Sequence, residues 1–167
     1  RGLGDVYKRQ VEEIAAPDGH VIDTAPQTVF ISGKEQDVVQ LYFGNSPHGS
    51  LLIKKIDAVT HKLLSDVEFM VTTSDGVVVG NANGKFVTDS AGTILIEDID
   101  PGTTLVVKET RARDGYLLDN TPQTVKIKSG ETVTLEFRNQ PKGNLIINKL
   151  DSVTKAPLEG VEFELTY

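Results

Sequence analysis

The stretch GSLLIKKIDAVTHKLLSDVEFMV, residues 49–71, returns as GNLIINKLDSVTKAPLEGVEFEL at residues 143–165, with a constant offset of 94 and no gap. Gly49, Lys55, Asp57, Val59, Thr60, Val67, Glu68 and Phe69 each meet an identical residue in the second copy. Two further segments repeat. VEEIAAPDGHVIDTAPQTVFI (11–31) returns as VKETRARDGYLLDNTPQTVKI (107–127) at an offset of 96, and LYFGNSPHG (41–49) returns as LEFRNQPKG (135–143) at an offset of 94. The first copy therefore carries two extra residues between Ile31 and Leu41. Self-similarity at this period marks a tandem array. Residues 11–48 read as the C-terminal half of one unit, 49–141 as a complete unit of about 93 residues, and 142–167 as the N-terminal part of the next. Residues 1–10, RGLGDVYKRQ, match no part of the repeat. They read as a non-native segment, such as a translated sequencing-adapter scar, and are set aside from the fold.

Within 49–141 the pattern is that of an all-β domain. LLIKKID (51–57), VEFMVTT (67–73), GVVVG (76–80), GTILIED (92–98), TLVVKET (104–110), PQTVKIK (122–128) and TVTLEFRN (132–139) are rich in Val, Ile, Thr and Phe, the residues that favour strands. The turn signals SDG, NANG, DPG, RDG and SG separate them. Short strands at this spacing, with no amphipathic helical segment between them, predict a β-sandwich or barrel. HKLLSDV (61–67) reads as a turn rather than a helix.

Composition narrows the function. The chain has 167 residues, 38% hydrophobic and 25% charged, and a formal net charge of −7. That acidity argues against nucleic acid or an anionic membrane as the partner, since both need a basic patch. No apolar run approaches the ~20 residues of a membrane span. The absence of cysteine excludes disulfides, thiolate metal sites and cysteine nucleophiles. His20, His48 and His61 lie in no metal-ligand spacing. EDID (97–100) could be a calcium carboxylate cluster, but it precedes PG and reads as a strand end and turn. No metal or cofactor is expected, and no catalytic set for turnover is visible.

Period-two bookkeeping singles out three polar residues. Lys55 shares a face with Leu51 and Ile53, Glu109 with Leu105 and Val107, and Asn139 with Val133, Leu135 and Phe137. The first strand is the weakest case, because Leu52 and Ile56 make its other face apolar too. In the partial units Glu13, Asn45 and Lys149 occupy the matching positions. A buried charge is costly unless paired or neutralised. Three outcomes are open: a buried Lys–Glu ion pair with Asn as hydrogen-bond partner, a lysine that snorkels out at the strand end, or a chemical one. Desolvation favours the neutral forms of lysine and glutamate. A neutral amine is a nucleophile, and the Asn amide beside it is an electrophile that is inert in water. A protonated Glu could hydrogen-bond the amide and pass a proton to the leaving ammonia. The product would be a Lys–Asn isopeptide bond, formed once. Asp57 and Glu97 are reserve candidates for the acid.

GSLLIKKIDAVTHKLLSDVEF, DSAGTILIEDIDPGTTLVVKETRARDGYLLD, PQTVKI and VTLEFRNQP together cover nearly all of 49–141. In these stretches the chain closely resembles the Cna B-type, SpaA-like prealbumin-fold domains of Gram-positive surface proteins and pilins. The resemblance implies an immunoglobulin-like (prealbumin-like) β-sandwich that serves as a stalk module. It also implies a cross-link between Lys55 of the first strand and Asn139 of the last, aided by Glu109 of the KET strand. RARDGY replaces the commoner APDGY-like text, a loop change that leaves the triple intact, while the first unit keeps AAPDGH. The expected location is extracellular, at the cell surface or wall. The expected partners are neighbouring repeats of the chain, and host or matrix protein through other domains. The rival function is a ligand-binding adhesin module that uses exposed loops such as SDGVVVGNANG (74–84), with the triple only ionic.

Overall fold

The computed structural model describes residues 7–32, 34, 38–80 and 82–166. Seven strands build the complete unit: β5 (Gly49–Asp57), β6 (Glu68–Thr73), β7 (Lys85–Val87), β8 (Thr93–Ile99), β9 (Thr104–Arg111), β10 (Gln123–Lys126) and β11 (Thr132–Asn139). They form two sheets, ordered β10-β9-β6-β7 and β11-β5-β8. Alternation decides which side chains fill the space between them. Leu51 and Ile53 of β5, Phe69 and Val71 of β6, Ile94 and Ile96 of β8, Leu105 and Val107 of β9, and Phe137 of β11 join one buried cluster. Leu95, between two inward isoleucines, is 53% exposed on the outer face. The all-β sandwich expected from sequence is the observed architecture.

The first and last strands of the unit are neighbours. β5 and β11 run parallel, in register from Ser50↔Thr132 to Asp57↔Asn139. A parallel pair needs a long crossover, and here the whole rest of the unit serves as that connection. Where β5 ends, Asp57 organises the chain. Its Oδ1 accepts hydrogen bonds from the backbone N–H groups of Val59 (2.7 Å) and Thr60 (2.8 Å). Its Oδ2 accepts the Tyr116 hydroxyl at 2.8 Å, tying this turn to the loop that follows β9. The Thr60 backbone N–H and the Tyr116 hydroxyl hold the Asp57 carboxyl down at about 2. It is an ionised anchor, and the reserve role of acid for Asp57 does not hold. Glu97 is exposed on the outer register of β8, so it does not reach the core either.

Two expectations about strands change. GVVVG (76–80) is not a strand: Gly76 and Gly80 have φ of 90° and 77°, and Val78 makes only an isolated bridge to Thr72. The strand at this edge is instead Lys85–Val87, paired with β6, just after the turn signal NANG and in a segment given no strand on sequence. Residues 61–67 form no helix, as expected.

In the preceding half-unit, β1 (Tyr7–Val11) pairs antiparallel with β3 (Gln27–Ile31), and β2 (His20–Val21) pairs with β4 (Ser46–Pro47). Val11↔Gln27 repeats the register of Val107↔Gln123 in the complete unit. Residues 7–10, set aside on sequence, thus supply a strand. Ladder hydrogen bonds come from the backbone, so the absence of a sequence match does not prevent pairing. The first six residues of that decapeptide lie outside the described residues, as does Asn81 in the loop 74–84. Residues 142–166 carry no strand, only the bridge Leu150↔Pro157. The counterparts of β8 and β11, which flank β5, would fall beyond residue 167.

Two outcomes follow. Phe69 has no exposed surface and meets Phe137 edge-on at 4.9 Å between ring centroids. Phe69→Ala should therefore cost about 3–5 kcal/mol, read as a lower urea midpoint. The Asp57 carboxyl is depressed in the folded chain, so its contribution to stability is complete above its unfolded value of 3.8 and is lost as pH falls through about 2. Asp57→Asn should be less stable than the parent at neutral pH, and acid titration followed by circular dichroism should show the difference shrinking across that window.

Candidate functional site

Lys55, Glu109 and Asn139 come together between the two sheets, and none has exposed surface. β5 and β11 bring Lys55 and Asn139 from one sheet, and β9 brings Glu109 from the other. The Lys55 ammonium donates to Asn139 Oδ1 at 2.6 Å and lies 2.8 Å from Glu109 Oε2. Asn139 Nδ2 donates to Glu109 Oε1 at 2.6 Å. The three side chains close a ring of contacts, with one oxygen of Glu109 on the amine and the other on the amide nitrogen.

The backbone around them is pinned. Lys55 N donates to Gly92 O at 3.0 Å, Lys55 O accepts from Leu64 N at 2.8 Å, and Asn139 O accepts from Ala58 N at 3.0 Å. Gly92 has φ of 72° and no room for a side chain, because an added Cβ would stand 2.7 Å from Leu64 N. The two aromatic rings form the apolar wall. Phe69 sits opposite Glu109 in the β6–β9 ladder, and Phe137 opposite Lys55 in the β5–β11 ladder. The edge-on pair therefore joins the direct neighbours of both charges. Burial lowers the Lys55 amine from its ordinary value, against the opposing pull of the Glu109 carboxylate and, further away, Asp119.

The partial units divide the same set. Asn45 Nδ2 donates to Glu13 Oε1 at 2.7 Å, and Glu13 Oε2 accepts from Asp23 N at 2.9 Å, so the acid–amide contact forms here too. Lys149 is exposed, with no side-chain partner among the described residues. Lys54, the neighbour of the buried lysine, stands half-buried on the outer face of β5. Sequence reasoning missed the parts played by Phe69, Phe137 and Tyr116. The two phenylalanines left a signal, since Phe163 and Phe43 stand at their repeat positions, whereas Tyr116 is replaced by His20 in the first copy. Among the described residues, no group of three His, Asp or Glu could hold a metal ion.

The Bacillus anthracis TIE protein is similar over 81% of this chain and 25% of its own, at 27% identity and a TM-score of 0.54. GBS52, the minor pilin of Streptococcus agalactiae, is similar over 62% of this chain and 49% of its own, at 24% identity and a TM-score of 0.52. The group B streptococcus pilus 2b backbone protein is similar over 78% of this chain and 52% of its own, at 20% identity and a TM-score of 0.52. The chain thus spans a quarter to about half of the length of these structures, and the likeness to the two pilus proteins is one of fold. No curated protein matches. The family model described as the SpaA prealbumin-like fold domain matches residues 49–141, 93 of the 167 residues, and the chain belongs to that family.

Proposed function

We propose that residues 49–141 are a structural stalk module of a pilin-like protein at the Gram-positive cell surface or wall, locked by an isopeptide bond between Lys55 and Asn139. The observation that carries this reading is the ring of contacts at 2.6–2.8 Å among three side chains with no exposed surface. Likeness in fold to a minor pilin and a pilus backbone protein supports the setting.

The chemistry balances with the groups present. The Lys55 ammonium passes a proton to Glu109 Oε2, leaving a neutral amine and a neutral acid, as burial favours. Nζ attacks Asn139 Cγ and a C–N bond forms. Glu109 gives its proton to Nδ2 and takes the second one from Nζ. The old C–N bond breaks, ammonia leaves, and a secondary amide remains. Glu109 ends in the acid form and loses its proton to the departing ammonia, which goes as ammonium. Fixed proximity does most of the work, since the partners are in contact before reaction. The event occurs once per chain, so the module is not an enzyme in the turnover sense.

The bond would close a loop of 84 residues. By analogy with disulfide loop closure, that stabilises by about 4–5 kcal/mol. Its mechanical effect is larger. Tension entering at Gly49 would run along β5 to Lys55, cross to Asn139 on the neighbouring strand, and leave the unit. The chain between the two residues would carry none of it.

Intact mass is the direct test: the parent chain should weigh one ammonia less than its sequence, and Lys55→Ala, Glu109→Gln and Asn139→Ala should each keep the full mass. A parent of full mass would refute the bond. In single-molecule pulling, the parent should release no length from within the unit. Lys55→Ala should release roughly 280–300 Å from the 84-residue loop, at 3.3–3.6 Å per residue.

A further inference from the structure

The complete unit meets the preceding one with no free linker. β4 ends at Pro47 and β5 begins at Gly49, so His48 alone lies between them. The β10–β11 turn grips this crossing: Ser129 Oγ donates to Pro47 O at 3.0 Å and Gly130 N to His48 O at 3.2 Å. Gly49 passes so close to the end of β10 that an added Cβ would stand 2.2 Å from Lys128 O and 2.5 Å from Ile127 Cγ2. On the other side the His48 ring faces two carboxylates. Nε2 lies 3.2 Å from Asp100 Oδ1, and Nδ1 lies 3.8 Å from Asp98 Oδ1.

An irregularity in β8 presents these aspartates. Two steps of β5, from Gly49 to Leu51, face three steps of β8, from Ile99 to Ile96, which makes a β-bulge. Asp98 adopts φ of 56° within it, a conformation that Asp tolerates better than most residues. Bulges re-aim side chains and are designed features. The loop 16–22 of the preceding half-unit lines one side of an open cleft of about 650 Å³ that includes His48, Asp98 and Asp100, and adds Asp18 and His20 to its lining. In the gripping turn, Lys128 and Glu131 pair with each other at 3.3 Å.

We propose that this end of the unit is a docking socket for the last residues of the preceding repeat. Its ligand is a Pro–cation–Gly segment whose cation seats against Asp98 and Asp100 while the Ser129–Gly130 turn holds its backbone. The other end of the unit carries the same segment as Pro141, Lys142 and Gly143. Lys142 N donates to Gly115 O at 2.8 Å, as His48 N does to Gly19 O at 2.8 Å. The half-unit 11–48 thus runs into the complete unit through Pro47, His48 and Gly49, and the complete unit runs on through Pro141, Lys142 and Gly143, so the joint fixes the angle between consecutive repeats. This inference rests on the tandem reading of the chain.

The chain has no cysteine, so Thr24→Cys and Thr134→Cys, both at exposed positions, allow one dye in each unit. Time-resolved energy transfer then reads the width of the inter-unit distance distribution. The parent and His48→Lys should be narrow, and His48→Ala broader. Asp98→Asn with Asp100→Asn should also be broad, and these side chains are 81% and 69% exposed, so the core is spared. Equal widths in all these proteins would overturn the socket. Loss of ammonia depends only on the Lys55 site, so the two proposals stand or fall separately.

Discussion

A lysine and a glutamate without exposed surface constrain everything packed around them. Removing water from one unpaired charge costs several kcal/mol, and breaking such a pair by deleting one partner costs about 3–5 kcal/mol. Lys55 comes from one sheet and Glu109 from the other, so their contact ties the two sheets together. Asn139 completes the ring by donating to one oxygen of Glu109 and accepting from Lys55. Phe69 and Phe137, the ladder neighbours of the two charges, meet edge-on beside them. The apolar core and the polar ring are thus parts of one arrangement.

The parallel pairing of β5 with β11 decides where this ring lies in a unit. It places the entry and exit strands of a unit side by side, with Lys55 and Asn139 near the ends where the chain turns away. The half-units separate what each part of the fold contributes. The Glu13–Asn45 contact forms without any lysine, so the acid–amide contact belongs to the C-terminal half of a unit. Lys149 lies in solvent. Burial of the lysine is a property of the closed sandwich, because the strands that shield β5 on both sides arrive much later in the chain.

The junction shows a different use of charge. Lys55 and Glu109 are shut in the core, whereas His48, Asp98 and Asp100 lie at a surface between units. The two aspartates are largely exposed, and His48 is half-buried between the units. They orient the joint more than they stabilise the fold, and the backbone grip of Ser129 and Gly130 complements them.

The repeat, the strand-rich pattern and the inward parity of Glu109 and Asn139 were readable in the sequence, because strand alternation is local and an exact offset exposes equivalent positions. Parity names a face and no partner. The sequence left Lys55 ambiguous, since Leu52 and Ile56 make the other face of β5 apolar as well. The short strand Lys85–Val87 escaped notice, and GVVVG seemed a strand, because three-residue pairing and paired glycines depend on which edge the segment lies against. Asp57 looked like a spare acid, and only its contacts with Thr60 and Tyr116 show that it is an ionised anchor. The sequence by itself determined the repeat, the strand-rich pattern and the inward faces that carry Glu109 and Asn139. Tertiary structure alone decided which of them touch, because residues 84 apart meet only when two sheets close and exclude the water between them.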